Sequence, residues 1–131
     1  MKPSSFNECK EFNQVKHISP DFERAKALER IAQARIQQTR LRKNNANFVF
    51  EDHYTSLLEV LHAHLLREGL KVDNHICIGF YLRDVLKEGY ELFDDLRYKR
   101  NSLTYYGLEM EFDVCTQAIR SCQELIAVFK Q

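Results

Sequence analysis

The segment RYKRNSLTYYG, residues 97–107, concentrates side chains that can bind a phosphate group. Arginine presents a planar fork of N–H donors that fits phosphate oxygens, and lysine adds a point charge. Asparagine amides and tyrosine hydroxyls supply further donors. Such a composition is typical of an active or binding site, or of the charged end of a helix. The residues in question are Arg97, Lys99, Arg100, Asn101, Tyr105 and Tyr106.

Arg100 stands where the helical pattern calls for an apolar residue. In a helix over residues 90–105, Arg97 and Lys99 point away from the apolar stripe, which consists of Phe93, Leu96, Arg100 and Leu103. A buried charge without a partner is costly, so Arg100 must form an ion pair, or line a cleft or a subunit interface. Asp94 and Asp95 are the nearby acids that could pair with it inside the chain.

Two further members of the segment are related to Arg100 by helical geometry. Asn101 and Tyr105 are four residues apart and share one face of the helix. Arg100 and Tyr105 are five residues apart, which is about 140° around an ideal helix. They converge on one ligand only if the helix distorts near its end, or if two copies of the chain meet across a dimer axis.

The remaining titratable residues show no pattern that is specific to catalysis or metal binding. His62 and His64 face different ways, and His53 has no ligand partner at helical spacing. His75 heads an apolar stripe, which favours a core or capping role. The chain contains no nucleophile elbow, no glycine-rich phosphate loop and no zinc spacing of Cys and His. We expect no metal and no cofactor.

Composition limits the class of protein. The 131 residues include 19 Lys+Arg and 19 Asp+Glu, so the formal net charge is zero. A neutral chain lacks the overall basic character of a dedicated duplex binder.

No apolar run approaches the ~20 residues of a membrane span, and the N-terminus has no apolar signal segment. We therefore expect a cytoplasmic protein without membrane contact, and four reduced cysteines, of which Cys115 and Cys122 lie on one buried helix face.

Hydrophobic periodicity predicts an all-α fold, an antiparallel bundle of about five helices with short loops. The predicted helices cover residues 20–43, 49–68, about 73–88, 90–105 and 108–130. No segment alternates with period two over a useful length, so no strand is predicted. Residues 1–18 show no clear period. We expect them to form an N-terminal arm or tail, followed by a single bundle domain over residues 19–131.

The C-terminal end of the first predicted helix is basic. Arg35, Arg40, Arg42 and Lys43 fall in its last turns, where positive charge complements the helix dipole. This end is either a solvated helix terminus or a patch that faces RNA.

Residues 100–105, Arg-Asn-Ser-Leu-Thr-Tyr, resemble the Arg-Asn-x-x-x-His motif of the HEPN superfamily of small helical domains. LRYKRNSLTYYG (96–107) is similar to the Leu-Arg-x-x-Arg-Asn-x-x-x-Tyr-Tyr-Gly form of the motif in small archaeal-type members. GLKVDNHICIGFYLRDVL (69–86) looks like the Gly-Tyr-Lys…His segment and the following helix of the same proteins. The resemblance covers about residues 20–130.

The resemblance implies a five-helix bundle of the type that serves as substrate-binding subunit to nucleotidyltransferases in toxin–antitoxin pairs. HEPN domains generally dimerise so that two Arg-Asn segments face one cleft. In ribonuclease members the arginine stabilises the scissile phosphate, and the histidine assists attack by the RNA 2′-hydroxyl. Tyr105 occupies the histidine position, and a phenol titrates near ~10 against ~6.5 for imidazole. Tyr105 is a poor base at pH 7, so we expect no strong catalysis.

Three functions follow from these observations. The leading one is a homodimer that binds nucleotide or RNA through Arg97, Arg100, Asn101 and Tyr105, and partners a nucleotidyltransferase-like protein. Tyr105 or Tyr106 is then a possible target of nucleotide transfer. The alternative is a metal-independent endoribonuclease toxin, in which Arg100 acts with Tyr105, or with His75 arriving from another helix. The third is a helical scaffold with no ligand, in which Arg100 forms an internal salt bridge.

Overall fold

The computed structural model of the chain describes residues 2–131. This part of the chain is mostly helical, which confirms the all-α class. None of its helices combines the length and the apolar character that a membrane span requires. Its elements in chain order are α1 (Phe6–Glu11), β1 (Val15–His17), α2 (Phe22–Gln37), α3 (Ala46–Arg67), β2 (Leu70–Val72), α4 (His75–Tyr81), a π-helical segment (Leu82–Leu86), α5 (Tyr90–Tyr106) and α6 (Phe112–Phe129).

The central helix is α3, which contacts α2, α5, α6 and β2. The pairing of α3 with α2 is antiparallel, as the hydrogen bonds between the two helices show. At one end the Arg67 guanidinium makes two hydrogen bonds to the Glu29 carboxylate, at 2.7 and 3.1 Å. Further toward the C-terminus of α2, and back toward the middle of α3, the Ser56 hydroxyl donates to the Ala32 carbonyl at 3.0 Å. Ala32 is buried, and its small side chain lets the two backbones approach closely.

The loop between α2 and α3 differs from the prediction. α2 ends at Gln37, and Asn45 closes part of the following loop into a turn. Its side-chain oxygen accepts from the Arg42 N–H at 2.7 Å, and its amide donates to the Arg40 carbonyl at 2.8 Å. The prediction that Arg40, Arg42 and Lys43 lie in the last helical turns is wrong, since all three are exposed in this loop.

Residues 2–18 fold against the bundle through α1 and β1. The Phe6 ring packs edge-on against Tyr81, with 5.2 Å between centroids, and the Phe6 N–H donates to the Asp84 carboxylate at 2.9 Å. β1 pairs antiparallel with β2, and Val15 lies opposite Val72. The prediction that the chain has no strand is therefore wrong. Strands of three residues are too short to show a period-two pattern.

A disulfide joins Cys9 of α1 to Cys77 of α4, with 6.0 Å between the Cα atoms. The prediction that all four cysteines are reduced is wrong for this pair. Cys115 and Cys122 are free and buried on α6, which confirms their assignment to the core. The two bridged residues are 68 positions apart in sequence, so that only the tertiary fold brings them together.

The third predicted helix is interrupted. α4 passes at Leu82 into the π-helical segment, whose hydrogen bonds span five residues instead of four. The apolar stripe that His75 heads continues in sequence through Ile78, Leu82 and Val85. Ile78 and Leu82 are buried, but Val85 is exposed. The wider π turn rotates the residues after Leu82 relative to an α-helix, which moves Val85 out of the stripe.

We expect the disulfide to stabilise the chain. A cross-link that closes a loop of this length restricts the unfolded state by about 4 kcal/mol in the chain-entropy model. Urea unfolding of the wild type should show a lower free energy of unfolding with dithiothreitol than without it. The Cys9→Ser/Cys77→Ser variant should match the reduced wild type and should not respond to dithiothreitol.

A thiol assay gives an independent check on the pairing. Denatured but unreduced wild type should contain two reactive thiols, those of Cys115 and Cys122. Four reactive thiols in protein kept away from reductant, together with unchanged unfolding on reduction, would contradict the bridge.

Candidate functional site

Helix α5 turns the Arg100 side chain toward the interior of the bundle. The helix follows Gly89 and ends at Gly107, both in the left-handed region with φ of 79° and 63°. Phe93 and Leu96 are buried on its inner stripe, and Arg100 lies on the same stripe, half-buried. Its guanidinium carbon lies 5.9 Å from the centroid of the Tyr54 ring, within the range of a cation–π interaction.

The acids near Arg100 are engaged by other cations. Asp94 accepts two hydrogen bonds from Arg97, at 2.9 and 3.1 Å. Asp95 forms an ion pair with Lys99. Arg100 has no ion-pair or hydrogen-bond partner for its side chain among residues 2–131. The internal salt bridge to Asp94 or Asp95, one of the alternatives from sequence, is not formed, and the Arg100 charge is left without a counterion in the described chain.

Tyr54 of α3 forms the buried side of this site. Its ring is fully buried and stacks on Phe93, with centroids 6.2 Å apart. Its hydroxyl lies 3.5 Å from Nδ1 of His75. Burial raises the pKa of Tyr54, and the positive charges of Arg100 and Arg97 offset only part of that rise. The phenol therefore stays neutral at physiological pH, so it interacts with its neighbours as a hydrogen-bonding group.

His75 is the first residue of α4 and is held by the helix cap. The Asn74 side-chain oxygen accepts from the N–H groups of Ile76 and Cys77, at 2.7 and 3.2 Å. Burial lowers the pKa of His75, and the charges of Arg100, His62 and Arg97 lower it further. His75 is consequently neutral at pH 7 and can accept a hydrogen bond or a proton.

Tyr54, His75, Arg97 and Arg100 thus form one cluster, here called the Arg100 cluster. It joins α3, α4 and α5. Arg100 and the neutral imidazole of His75 both lie at the buried Tyr54 ring. The charge of Arg97, which is paired with Asp94, also lowers the pKa of both Tyr54 and His75. Arg100 lacks an acidic partner among residues 2–131. Such an arrangement can bind an anion, because the anion supplies the counterion that the described chain does not.

The other predicted site residues lie beside this cluster. Asn101 is half-buried and follows Arg97 by one helical turn. Tyr105 and Tyr106 are 69% and 76% exposed, so neither meets the inward-facing Arg100 within one chain. Asn101 and Tyr105 share a face of α5, as their spacing predicts.

One member of the cluster was not placed there from sequence. Tyr54 lies on the apolar face of its helix and was not named as a site residue, whereas His75 was named as a residue that could reach Arg100 from another helix in the ribonuclease alternative. A usable signal for Tyr54 was present. A tyrosine among leucines needs a partner for its hydroxyl, and a charged residue on an apolar stripe often packs against an aromatic ring.

Potential metal ligands do not gather at this site. Among the described residues, no group of three or more His, Cys, Asp or Glu side chains is arranged to hold a metal ion. No protein-family model, curated protein or solved structure matches the chain.

Proposed function

We propose that the chain is a HEPN-type protein that binds a phosphate of RNA or of a nucleotide at the Arg100 cluster. The observation that carries this proposal is the half-buried Arg100, which stacks over Tyr54 and has no acidic partner among residues 2–131. It functions as a homodimer with a nucleotidyltransferase-like partner, as in toxin–antitoxin pairs, and without strong catalysis of its own.

The donors near Arg100 suit a phosphate group, which offers several oxygens, better than an anion of one atom. The guanidinium can bond two phosphate oxygens at once. Arg97, whose charge is paired with Asp94, precedes Arg100 by about one helical turn, and the Asn101 amide lies on the same side of α5 as Arg97. Hydrogen bonds to charged groups contribute about 1.5–3 kcal/mol each. Arg100 supplies the largest share, since it has no competing acid within the described chain.

Exposed tyrosines favour a nucleic-acid ligand over inorganic phosphate. Tyr98 and Tyr105 are seven residues apart on α5, and both are more than two-thirds exposed. Two helical turns separate them on one face, so they form an aromatic surface beside Asn101. Unpaired bases stack on such rings, each contributing about 1–3 kcal/mol. This combination is typical of binding to single-stranded RNA.

The end of α5 also favours association with other proteins. Tyr106 and Leu108 are exposed, and Phe48 is exposed on α3 beside the Asn47 side chain, which bonds to the backbone of Met110. An apolar end of this kind suits contact with a second copy of the chain. The accessible hydroxyls of Tyr105 and Tyr106 suit nucleotide transfer by a partner enzyme.

We expect Arg100→Gln to weaken binding of a fluorescein-labelled single-stranded RNA by about tenfold or more, because a charged hydrogen bond is lost. Fluorescence anisotropy at low salt measures the dissociation constant. Arg30→Gln is the matched control, since Arg30 is exposed on α2 and its loss removes the same charge. Its affinity should stay within about twofold of the wild type.

Equal affinities for the wild type and Arg100→Gln would contradict the proposed site. A wild type that binds neither RNA nor nucleotides would favour the scaffold without a ligand. Circular dichroism of each variant checks that the helices are intact.

A metal-independent endoribonuclease is the second candidate, and the neutral His75 beside Arg100 favours it. The His75 imidazole would accept the proton of an RNA 2′-hydroxyl as its oxygen bonds to phosphorus. The bond to the 5′-oxygen breaks, and that oxygen takes a proton from solvent. The products are a 2′,3′-cyclic phosphate and a 5′-hydroxyl, and Arg100 stabilises the charge on the phosphoryl oxygens.

For this second candidate, we expect the wild type to cleave RNA in the presence of EDTA and to leave 2′,3′-cyclic phosphate ends. His75→Ala should reduce cleavage by about 10²-fold or more and retain RNA binding, because it removes the base and keeps Arg100. Denaturing gels and end-group analysis provide the measurement. RNA that stays intact with the wild type, or equal cleavage by His75→Ala, would exclude this mechanism.

A further inference from the structure

A second cationic pocket lies between α2, α3 and β2. It is an open cavity of about 300 Å³. One part of its lining is apolar, and another part carries side chains that bear or can acquire positive charge. The lining residues are Arg24, Leu28, His62, Leu66, Leu70, Lys71, Val72 and Asp73.

The charges of this pocket favour an anion. Arg24 and Lys71 are exposed, and neither side chain has an ion-pair partner among residues 2–131. His62 is half-buried, and its ring has no hydrogen-bond partner within that range. Asp73 is the one carboxylate in the lining, so that the lining carries a net charge of +1 when His62 is neutral. Burial and the charge of Arg24 lower the pKa of His62, while Asp73 and Glu59 oppose this.

The pocket is next to the Arg100 cluster. Asp73 precedes His75 by two residues, and only Asn74, the cap of α4, separates them. The charge of His62 also contributes to the lowered pKa of His75. The short chain connection from Asp73 to His75 places the pocket on the side of α4 toward which a ligand that extends from Arg100 past His75 would run.

We propose that this pocket is a second phosphate subsite, which binds the backbone phosphate of a single-stranded RNA adjacent to the phosphate at Arg100. The inference rests on the proposed function and makes it more specific, because it selects an oligonucleotide over a mononucleotide. Arg24 and Lys71 bind the phosphate oxygens. His62 donates to them when it is protonated, and the apolar lining, including Leu28 and Val72, contacts the sugar or the base.

The test compares a ligand that can span both sites with one that cannot. A ten-nucleotide single-stranded RNA and uridine 3′-monophosphate are titrated into the full chain by calorimetry. The Arg24→Gln/Lys71→Gln variant should bind the RNA about tenfold more weakly at low salt, with a shallower salt dependence. Its affinity for the mononucleotide should be unchanged. Lys26→Gln/Arg30→Gln is the matched control, since both residues are exposed on α2 outside the pocket.

The outcomes separate this inference from the proposed function. If Arg100→Gln loses both ligands while Arg24→Gln/Lys71→Gln binds RNA like the wild type, the subsite is wrong and the function stands. Equal loss of RNA and mononucleotide in the pocket variant would also overturn the subsite, since a general electrostatic effect acts on both. If Arg100→Gln binds both ligands normally, the proposed function fails and the subsite fails with it.

Discussion

The burial of α3 is the constraint on which the rest of the structure depends. This helix packs against α2, α5, α6 and β2, and several polar side chains that it buries bond to neighbouring groups, although Nε2 of His64 is buried without a partner in the described chain. Ser56 donates to the backbone of α2, and His53 contacts the backbone of its own helix and Gln123 of α6. Tyr54 has its hydroxyl beside His75. That contact brings the start of α4 to the ring over which Arg100 of α5 lies, so that three helices meet at the candidate site.

The ion pairs along α5 leave the charge of Arg100 without a counterion in the described chain. Asp94 and Asp95 are each engaged by a cation other than Arg100. The apolar stripe of the helix turns Arg100 inward, where the π face of Tyr54 offers only partial compensation for its charge. The arrangement combines a fixed positive charge with a neutral imidazole, at the price of a half-buried cation. An anionic ligand removes that cost, because it provides the missing counterion.

The helices were predictable from the sequence because their apolar stripes repeat over several turns. The inward position of Arg100 followed from the same stripe. The C-terminal end of α2 was not predictable, because the turn that follows it is closed by the side-chain bonds of Asn45. The short strands are too brief for a periodic signal. The Cys9–Cys77 bridge and the meeting of Tyr54 with His75 depend on distant segments, and a periodic pattern within one helix carries no information about them.

The resemblance to HEPN proteins implies a site formed by Arg100 with Tyr105, whereas within one chain Arg100 lies over the ring of Tyr54, whose hydroxyl contacts His75. Both arrangements of Arg100, with Tyr105 and with Tyr54, are compatible in a homodimer. In such a dimer the exposed Tyr105 of one copy can approach the Arg100 of the other. Within a single chain, Tyr98 and Tyr105 lie on a different face of α5 from Arg100. The uncompensated charge of Arg100 and its effect on the pKa of His75 do not depend on a dimer.

The most direct test is the pKa of His75, measured by NMR with and without inorganic phosphate, against chloride at equal ionic strength. Phosphate bound at Arg100 neutralises a charge that lowers this pKa, so the protonated imidazole is favoured and the pKa should rise. In Arg100→Met the pKa should start higher, because that charge is gone, and phosphate should not change it. A His75 pKa that responds equally to phosphate and chloride, and is the same in both proteins, would contradict the account.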